Sequence, residues 1–283
     1  MTKRILASLA ALAAGVGICG NAMAGTITVK GSDTMVILAQ KWAEVYMSQH
    51  PGVTIQVTGG GSGVGFAALV EQKTDLADAS RKIKSKELEG CIKAFGKRPK
   101  EYKVCVDGLS VFVNKDNGVK SLTLEQLNGI FTGKITNWKD VGGPDAGITV
   151  YSRENSSGTY EFFKEHVLHG KDFAASAQTM PGTAALIQAV EHDKSGIGYG
   201  GAAYAAGAKV LAVAKEAGAE AIEPTEATVL SGTYPIWRYL YIYVNPAVDK
   251  GDIADYLRWI RGDDGQKVVK EISYYPLPAD LRK

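Results

Sequence analysis

The chain is short of the residues that most reactive sites require. It has three cysteines and four histidines in 283 residues, and Cys19 lies within the first two dozen. His166 and His169 stand three apart with no carboxylate or cysteine set to complete a ligand shell, so no metal is expected. The glycine run Gly59-Gly60-Gly61-Ser62-Gly63 is not followed by Gly-Lys-Ser or Gly-Lys-Thr, which removes the P-loop reading. Val64 stands two residues past Ser62, where a nucleophile elbow needs glycine. Nucleotide hydrolysis and esterase chemistry therefore lose support.

An excess of one charge is also missing. The beginning, with Lys3-Arg4, an apolar stretch from Ile5 to Ile18 and Ala22-Met23-Ala24, reads as a secretory signal over 1–24, cleaved before Gly25. A lipoprotein reading through Cys19 is weaker, because Ile18 stands where a small residue is required. Loss of Lys3 and Arg4 leaves 30 basic against 30 acidic residues. Bulk electrostatics thus gives no case for nucleic acid or a membrane surface as partner. No later stretch is long and apolar enough to span a bilayer, so no membrane insertion of the mature chain is expected, and its place is outside the cytoplasm. There Cys91 and Cys105 can form one disulfide around about 15 residues, worth roughly 3 kcal/mol in the loop-entropy model. The segment they enclose holds five basic residues and one acid, most simply a solvated face.

What the chain does have is a repeated unit. Val150–Tyr160, V-Y-S-R-E-N-S-S-G-T-Y, reads as a strand end, a hydroxyl loop and a first helical turn. A helix starting there aims free N–H groups and a partial charge of about half an electron at whatever lies before it. Arg153 adds a planar cationic fork suited to an oxyanion. Thr26–Tyr46 repeats the arrangement: T-I-T-V-K, then G-S-D-T-M, then an apolar-striped helix predicted over 34–49. Each unit continues into another strand and a Gly-rich loop opening a helix, at 57–70 and 179–190, and then into short runs at 75–81 and 195–201. Two such sets about 120 residues apart predict two similar lobes, each offering helix N-termini to one small anion.

Asp75–Arg81 reads as a short buried strand whose carboxyl end carries Ser80 and Arg81, where ligands collect in open α/β sheets. Val104–Asn114 and Tyr239–Asn245 are long β-prone runs that both end in Val-Asn. They read as paired crossings, giving lobe 1 as 25–112 plus 236–283 and lobe 2 as an insertion, 113–235. Thr123–Gly133 reads as a capped helix with Leu124, Leu127, Ile130 and Phe131 inward. The tail 252–272 reads as two amphipathic helices split at 262–265. Residues 202–221 are Ala-rich and expected to hold no chemistry. Trp237 and Arg238 either edge the cleft or pack in the core, and Tyr239, Tyr241 and Tyr243 alternate as one strand face.

Over essentially the whole mature chain these motifs resemble the PstS-type periplasmic phosphate-binding proteins, the solute-binding subunits of the phosphate ABC transporter. The carriers are G-S-D-T-M, T-G-G-G-S-G-V-G, A-S-R, L-T-L-E-Q-L-N-G-I-F-T-G-K-I-T-N-W, S-R-E-N-S-S-G-T and L-Y-I-Y-V-N. The resemblance implies an α/β, two-lobed periplasmic binding protein fold of type II with a hinge of two crossing strands, closing on inorganic phosphate. It implies a monomer that delivers its ligand to a membrane permease without catalysis or cofactor. By motif match the donors would be Ser32 and Thr34, Ser62 and Gly63, Ser80 and Arg81, and Arg153 with Ser157, Gly158 and Thr159. Longer relatives carry Asp where this chain has Arg81, so the acceptor for the ligand's own proton would be Asp33, with Glu154 second. A receptor for sulfate or another tetrahedral oxyanion is the near alternative, a periplasmic phosphomonoesterase the enzymatic one, and a surface-interaction protein the third.

Overall fold

A computed structural model describes residues 25–205 and 207–282. The expected leader, 1–24, lies outside the described residues. The chain opens with β1 (Gly25–Gly31), α1 (Val36–Gln49), β2 (Val53–Thr58), α2 (Ser62–Val70), β3 (Leu76–Ala79), α3 (Ser85–Phe95) and β4 (Lys100–Gly108). It continues through β5 (Ser110–Val113), β6 (Ser121–Thr123), α4 (Leu124–Phe131), β7 (Thr149–Arg153), α5 (Gly158–His166), β8 (Gln178–Met180), α6 (Thr183–His192), β9 (Gly196–Gly200) and β10 (Lys209–Ala214). α7 (Glu226–Leu230), β11 (Trp237–Val244), α8 (Asp252–Arg261) and α9 (Asp263–Glu271) complete it.

The strands form two sheets, ordered β2-β1-β3-β11-β4 and β6-β10-β5-β9-β7-β8. In the first, β1 runs parallel to β2 and β3, so the loops after all three emerge at one edge. In the second, β7 runs parallel to β8 and β9. Each sheet is apolar on both faces, as helix-covered parallel strands require. Trp42 and Tyr46 of α1 pack with Tyr256, Leu257 and Ile260 of α8 on one side of the first sheet, and Phe66 and Leu69 of α2 pack with Tyr241 and Tyr243 on the other. Around the second sheet, Leu127, Ile130 and Phe131 of α4 meet Phe163 of α5, while Leu186, Ile187 and Val190 of α6 cover the opposite face. The architecture is therefore a two-lobed α/β fold.

Local signals explain several boundaries. Thr123 accepts the Gln126 N–H and Gln126 returns a bond to the Thr123 N–H, at 3.0 and 2.8 Å, closing the capping box that starts α4. α1 starts at Val36, two residues later than predicted, because Ser32-Asp33-Thr34 forms a turn in which the Met35 N–H donates to the Ser32 carbonyl. The Thr34 hydroxyl is thereby left free of capping duty.

Two expectations need correction. Cys91 and Cys105 are free thiols, both fully buried. Cys91 belongs to the core on the α2 face of the first sheet and Cys105 to the core on the α1 face, so the sheet itself separates them. Burial pushes the Cys91 thiol up to about 11 and that of Cys105 well above its ordinary range, which makes both poor nucleophiles. Second, Tyr239–Asn245 is not a crossing, since β11 pairs with β3 and β4 within the first sheet. The passages between lobes fall at Leu109 and at 234–236, which run side by side: the Leu109 N–H donates to the Ile236 carbonyl and the Tyr234 hydroxyl to the Leu109 carbonyl, both at 2.8 Å.

Candidate functional site

The loops at the carboxyl ends of β1, β2, β3 and β7 converge between the sheets. Ser62 is the first residue of α2 and Gly158 the first of α5, so two helix N-termini, one from each lobe, meet. Contact is close. The Gly63 N–H donates to the Ser156 carbonyl at 2.9 Å, and a Cβ on Gly61, whose φ is +93°, would lie 2.5 Å from that same oxygen. A Cβ on Gly158 would overlap the Ser62 hydroxyl and sit 2.7 Å from Ser80 Oγ. Only glycine fits at either position.

Four hydroxyls gather at this junction. Thr34 Oγ1 and Thr159 Oγ1 share a hydrogen bond of 2.6 Å across the lobes, Ser62 and Ser80 share one of 3.3 Å, and Ser80 lies 3.4 Å from Thr159. All four residues are buried, at 0–1% exposure. Two of these hydroxyls are committed as acceptors elsewhere: Ser62 Oγ takes the Ser80 N–H at 3.0 Å, and Thr159 Oγ1 takes Arg238 Nη2 at 2.9 Å. Each keeps its proton to donate. Ser32 Oγ is buried with no hydrogen bond, and Ser157 caps α5 by accepting the Tyr160 N–H at 3.2 Å. The cluster is thus biased toward donation, with two positive helix ends behind it.

The charged residues are arranged differently from the motif expectation. Arg81 turns away from the hydroxyls and donates to both oxygens of Glu87, at 2.8 and 2.7 Å, over the Phe66 ring. Arg153 is buried and donates to Thr183 Oγ1 at 2.7 Å, to Asp33 Oδ2 across the lobes at 2.8 Å and to both oxygens of Glu154. Burial pushes the Glu154 carboxyl up, and Arg153 together with the Glu154 and Gly182 N–H groups brings it below its ordinary range, so it stays ionised. Asp33 Oδ1 also accepts the Gly60 N–H at 2.7 Å. Both carboxylates expected to take a ligand proton therefore serve Arg153.

Arg238 reaches the cluster through its bond to Thr159. Its Nη1 donates to the Ser80 carbonyl at 2.9 Å, while Nε and Nη2 donate to Asp107 Oδ2 at 3.0 and 2.9 Å. Asp107 and Arg238 are direct cross-strand partners in β4 and β11. Sequence reasoning left Arg238 undecided and passed over Asp107. The available signal was opposite charges embedded in two apolar strand runs, since such residues are rarely buried unpaired. The Ala-rich segment also matters: Ala202 N–H donates to Asp107 Oδ1 at 3.0 Å, and the Tyr204 hydroxyl to the Asp33 carbonyl at 2.7 Å. Beside the hydroxyls opens a cleft of about 580 Å³, lined by Arg81, Lys84, Phe162, His166, Trp237 and Arg238.

A sequence profile described as a PBP superfamily domain matches residues 20–264. The phosphate-binding protein PstS of Pseudomonas aeruginosa is 36% identical over 99% of this chain and 96% of its own length. The chain belongs to the PstS family. Protein SphX of Synechococcus elongatus is 34% identical over 92% of this chain and 80% of its own. Among solved structures, a substrate-binding protein from Clostridium perfringens with bound phosphate superposes with a TM-score of 0.83 at 28% identity, covering 90% of this chain and all of that one. An ABC-type phosphate transport receptor from Vibrio cholerae gives 0.70 at 28% identity over 89% of this chain and 100% of its own.

Proposed function

We propose that this chain is an extracytoplasmic receptor that binds inorganic phosphate between its lobes and hands it to the permease of a phosphate ABC transporter. The observation that carries this reading is the meeting of two helix N-termini and four hydroxyls, from both lobes, in one buried junction. Opposed positive helix ends repel one another, and a multiply charged anion between them turns that cost into attraction. The ligand set is Thr34, Ser62, Ser80 and Thr159 through their hydroxyls and Gly158 through its amide, with Ser32, Gly63 and Ser157 in the flanking turns. Each charge-assisted hydrogen bond is worth roughly 1.5–3 kcal/mol net, so a handful replaces the anion's water shell.

Arg153 with Asp33 and Glu154 acts as a bridge that holds the closed lobes. The division into lobe 1 (25–112 plus 236–283) and lobe 2 (113–235) then places the hinge at Leu109 and Ile236, the side-by-side passages. A cleaved signal over 1–24 delivers the chain to the periplasm. The relatives named as phosphate-binding proteins support this reading.

One observation favours a wider ligand range. None of the hydrogen bonds made by the four hydroxyls goes to a carboxylate among the described residues, and fully ionised sulfate needs no acceptor. Competition calorimetry with phosphate and sulfate decides it: preferential phosphate binding is expected, and equal affinity makes the protein a general tetrahedral-oxyanion receptor. Release of product from a phosphomonoester would overturn the receptor reading.

A further inference from the structure

We propose that Lys84 and Glu161 form a clasp between the lobes that slows release of the bound anion, and that Arg81 and Glu87 are the positioning residues that aim it. This rests on the receptor reading above and gives a role to Arg81, the charged residue of the A-S-R motif, which the ligand set leaves unused. Lys84 Nζ lies 2.9 Å from Glu161 Oε1. Lys84 stands on the segment that leaves β3 of the first sheet just past Ser80, and Glu161 stands in the first turn of α5, two residues past Thr159. The pair therefore joins the two segments that bring Ser80 and Thr159 to within 3.4 Å of each other. Opening the cleft pulls it apart.

A lysine–glutamate pair at a surface is ordinarily worth little, because two long side chains must be ordered to make it and salt screens it. Here the backbone on both sides is fixed beforehand. Glu87 accepts Arg81 Nη1 and Nη2 at 2.8 and 2.7 Å and the Lys84 N–H at 2.8 Å, so one carboxylate ties the residue after Ser80 to the residue that reaches across. The Arg81 guanidinium is held in turn over the Phe66 ring, with Cζ 5.1 Å from the centroid. Between these two ties the Ile83 N–H donates to the Tyr243 hydroxyl at 3.1 Å, and that hydroxyl donates to Glu101 at 2.6 Å. On the other lobe, the Glu161 N–H donates to the Ser157 carbonyl at 3.2 Å, and the carboxylate sits at the positive end of α5. The Lys84 and Glu161 side chains are 43% and 21% exposed, so the clasp stays open to screening by salt.

The test is release of inorganic phosphate from the full chain in stopped-flow mixing. Lys84→Gln and Glu161→Gln should each speed release about two- to fivefold and leave the thermal midpoint of the anion-free protein unchanged. The double variant should release no faster than either single one, since both remove the same contact. The gap between the parent and each single variant should close as sodium chloride is raised. Single variants that release at the parent's rate, effects that add in the double variant, or a gap that survives salt overturn the clasp. Glu87→Gln unties Arg81 as well and can lower the midpoint, so its release is measured both alone and in the Glu161→Gln background. It should speed release alone and add nothing there, and equal acceleration in both overturns the positioning role. A parent chain that takes up no phosphate overturns the receptor reading itself, and this inference with it.

Discussion

Two arginine–carboxylate groups flank the hydroxyl cluster, and they are built for different conditions. Arg153, its own side chain 1% exposed, joins Asp33 and Glu154, whose side chains are 17% and 28% exposed and form a partly wet rim, and its ion pair with Asp33 crosses between lobes. Arg238 and Asp107 are neighbours in one sheet, and their side chains are 3% and 0% exposed. Opening the lobes must break the first pair and leaves the second intact. Arg153 keeps Glu154 when Asp33 leaves, so its charge stays compensated, whereas Arg238 without Asp107 is a buried charge with no counterion. The rim group therefore suits a latch, and the buried pair suits a fixed fixture that the latch closes upon.

The sharpest way to break this contrast is to remove one acid from each. Asp107→Ala leaves Arg238 buried without its partner, so a destabilisation of about 3–5 kcal/mol is expected in denaturant unfolding. Asp78 offers an intermediate case, for it is a buried carboxyl in β3 with no arginine at all, and one of its oxygens has no hydrogen bond. Burial alone raises its pKa from 3.8 to about 8, while Asp107, raised by burial as well, is drawn back by Arg238. The folded state then holds a proton that the unfolded state gives up. Stability from this group is greatest below the unfolded value and is lost as pH rises to about 8. The slope is at most about 1.4 kcal/mol per pH unit, and Asp78→Asn should flatten it in unfolding curves taken from pH 5 to pH 9. Asp33→Asn should cost least in stability, within about 1 kcal/mol, because Glu154 still holds Arg153. Its effect belongs in kinetics: phosphate release about tenfold faster, read by stopped-flow fluorescence. If Asp33→Asn destabilised the fold as much as Asp107→Ala, the distinction between latch and fixture would be lost.

Much of this site was readable from the chain because its makers are local. A strand followed by a hydroxyl loop and a helix is written in contiguous residues, so Thr34, Ser62, Ser80, Gly158 and Thr159 could each be placed by their own neighbours. The arginines could not. Arg81 follows Ser80 directly, yet its direction is set by Glu87 on α3, the N3 residue that also accepts the Lys84 N–H and closes that helix's first turn. Arg238 meets the hydroxyls only because β11 pairs with both β3 and β4, a register no local pattern announces. The disulfide expectation failed for the same reason. Fourteen residues of spacing permit Cys91 and Cys105 to meet, but α3 and β4 present them to opposite faces of one sheet.

Calorimetric titration with inorganic phosphate, run on the unaltered chain and on Gly158→Val, tests the junction most directly. The parent should show saturable binding at a single site, and the variant, whose side chain would occupy the space between Ser62 and Ser80, should show none while keeping the parent's circular dichroism. Equal binding by the two proteins would mean that the anion sits elsewhere.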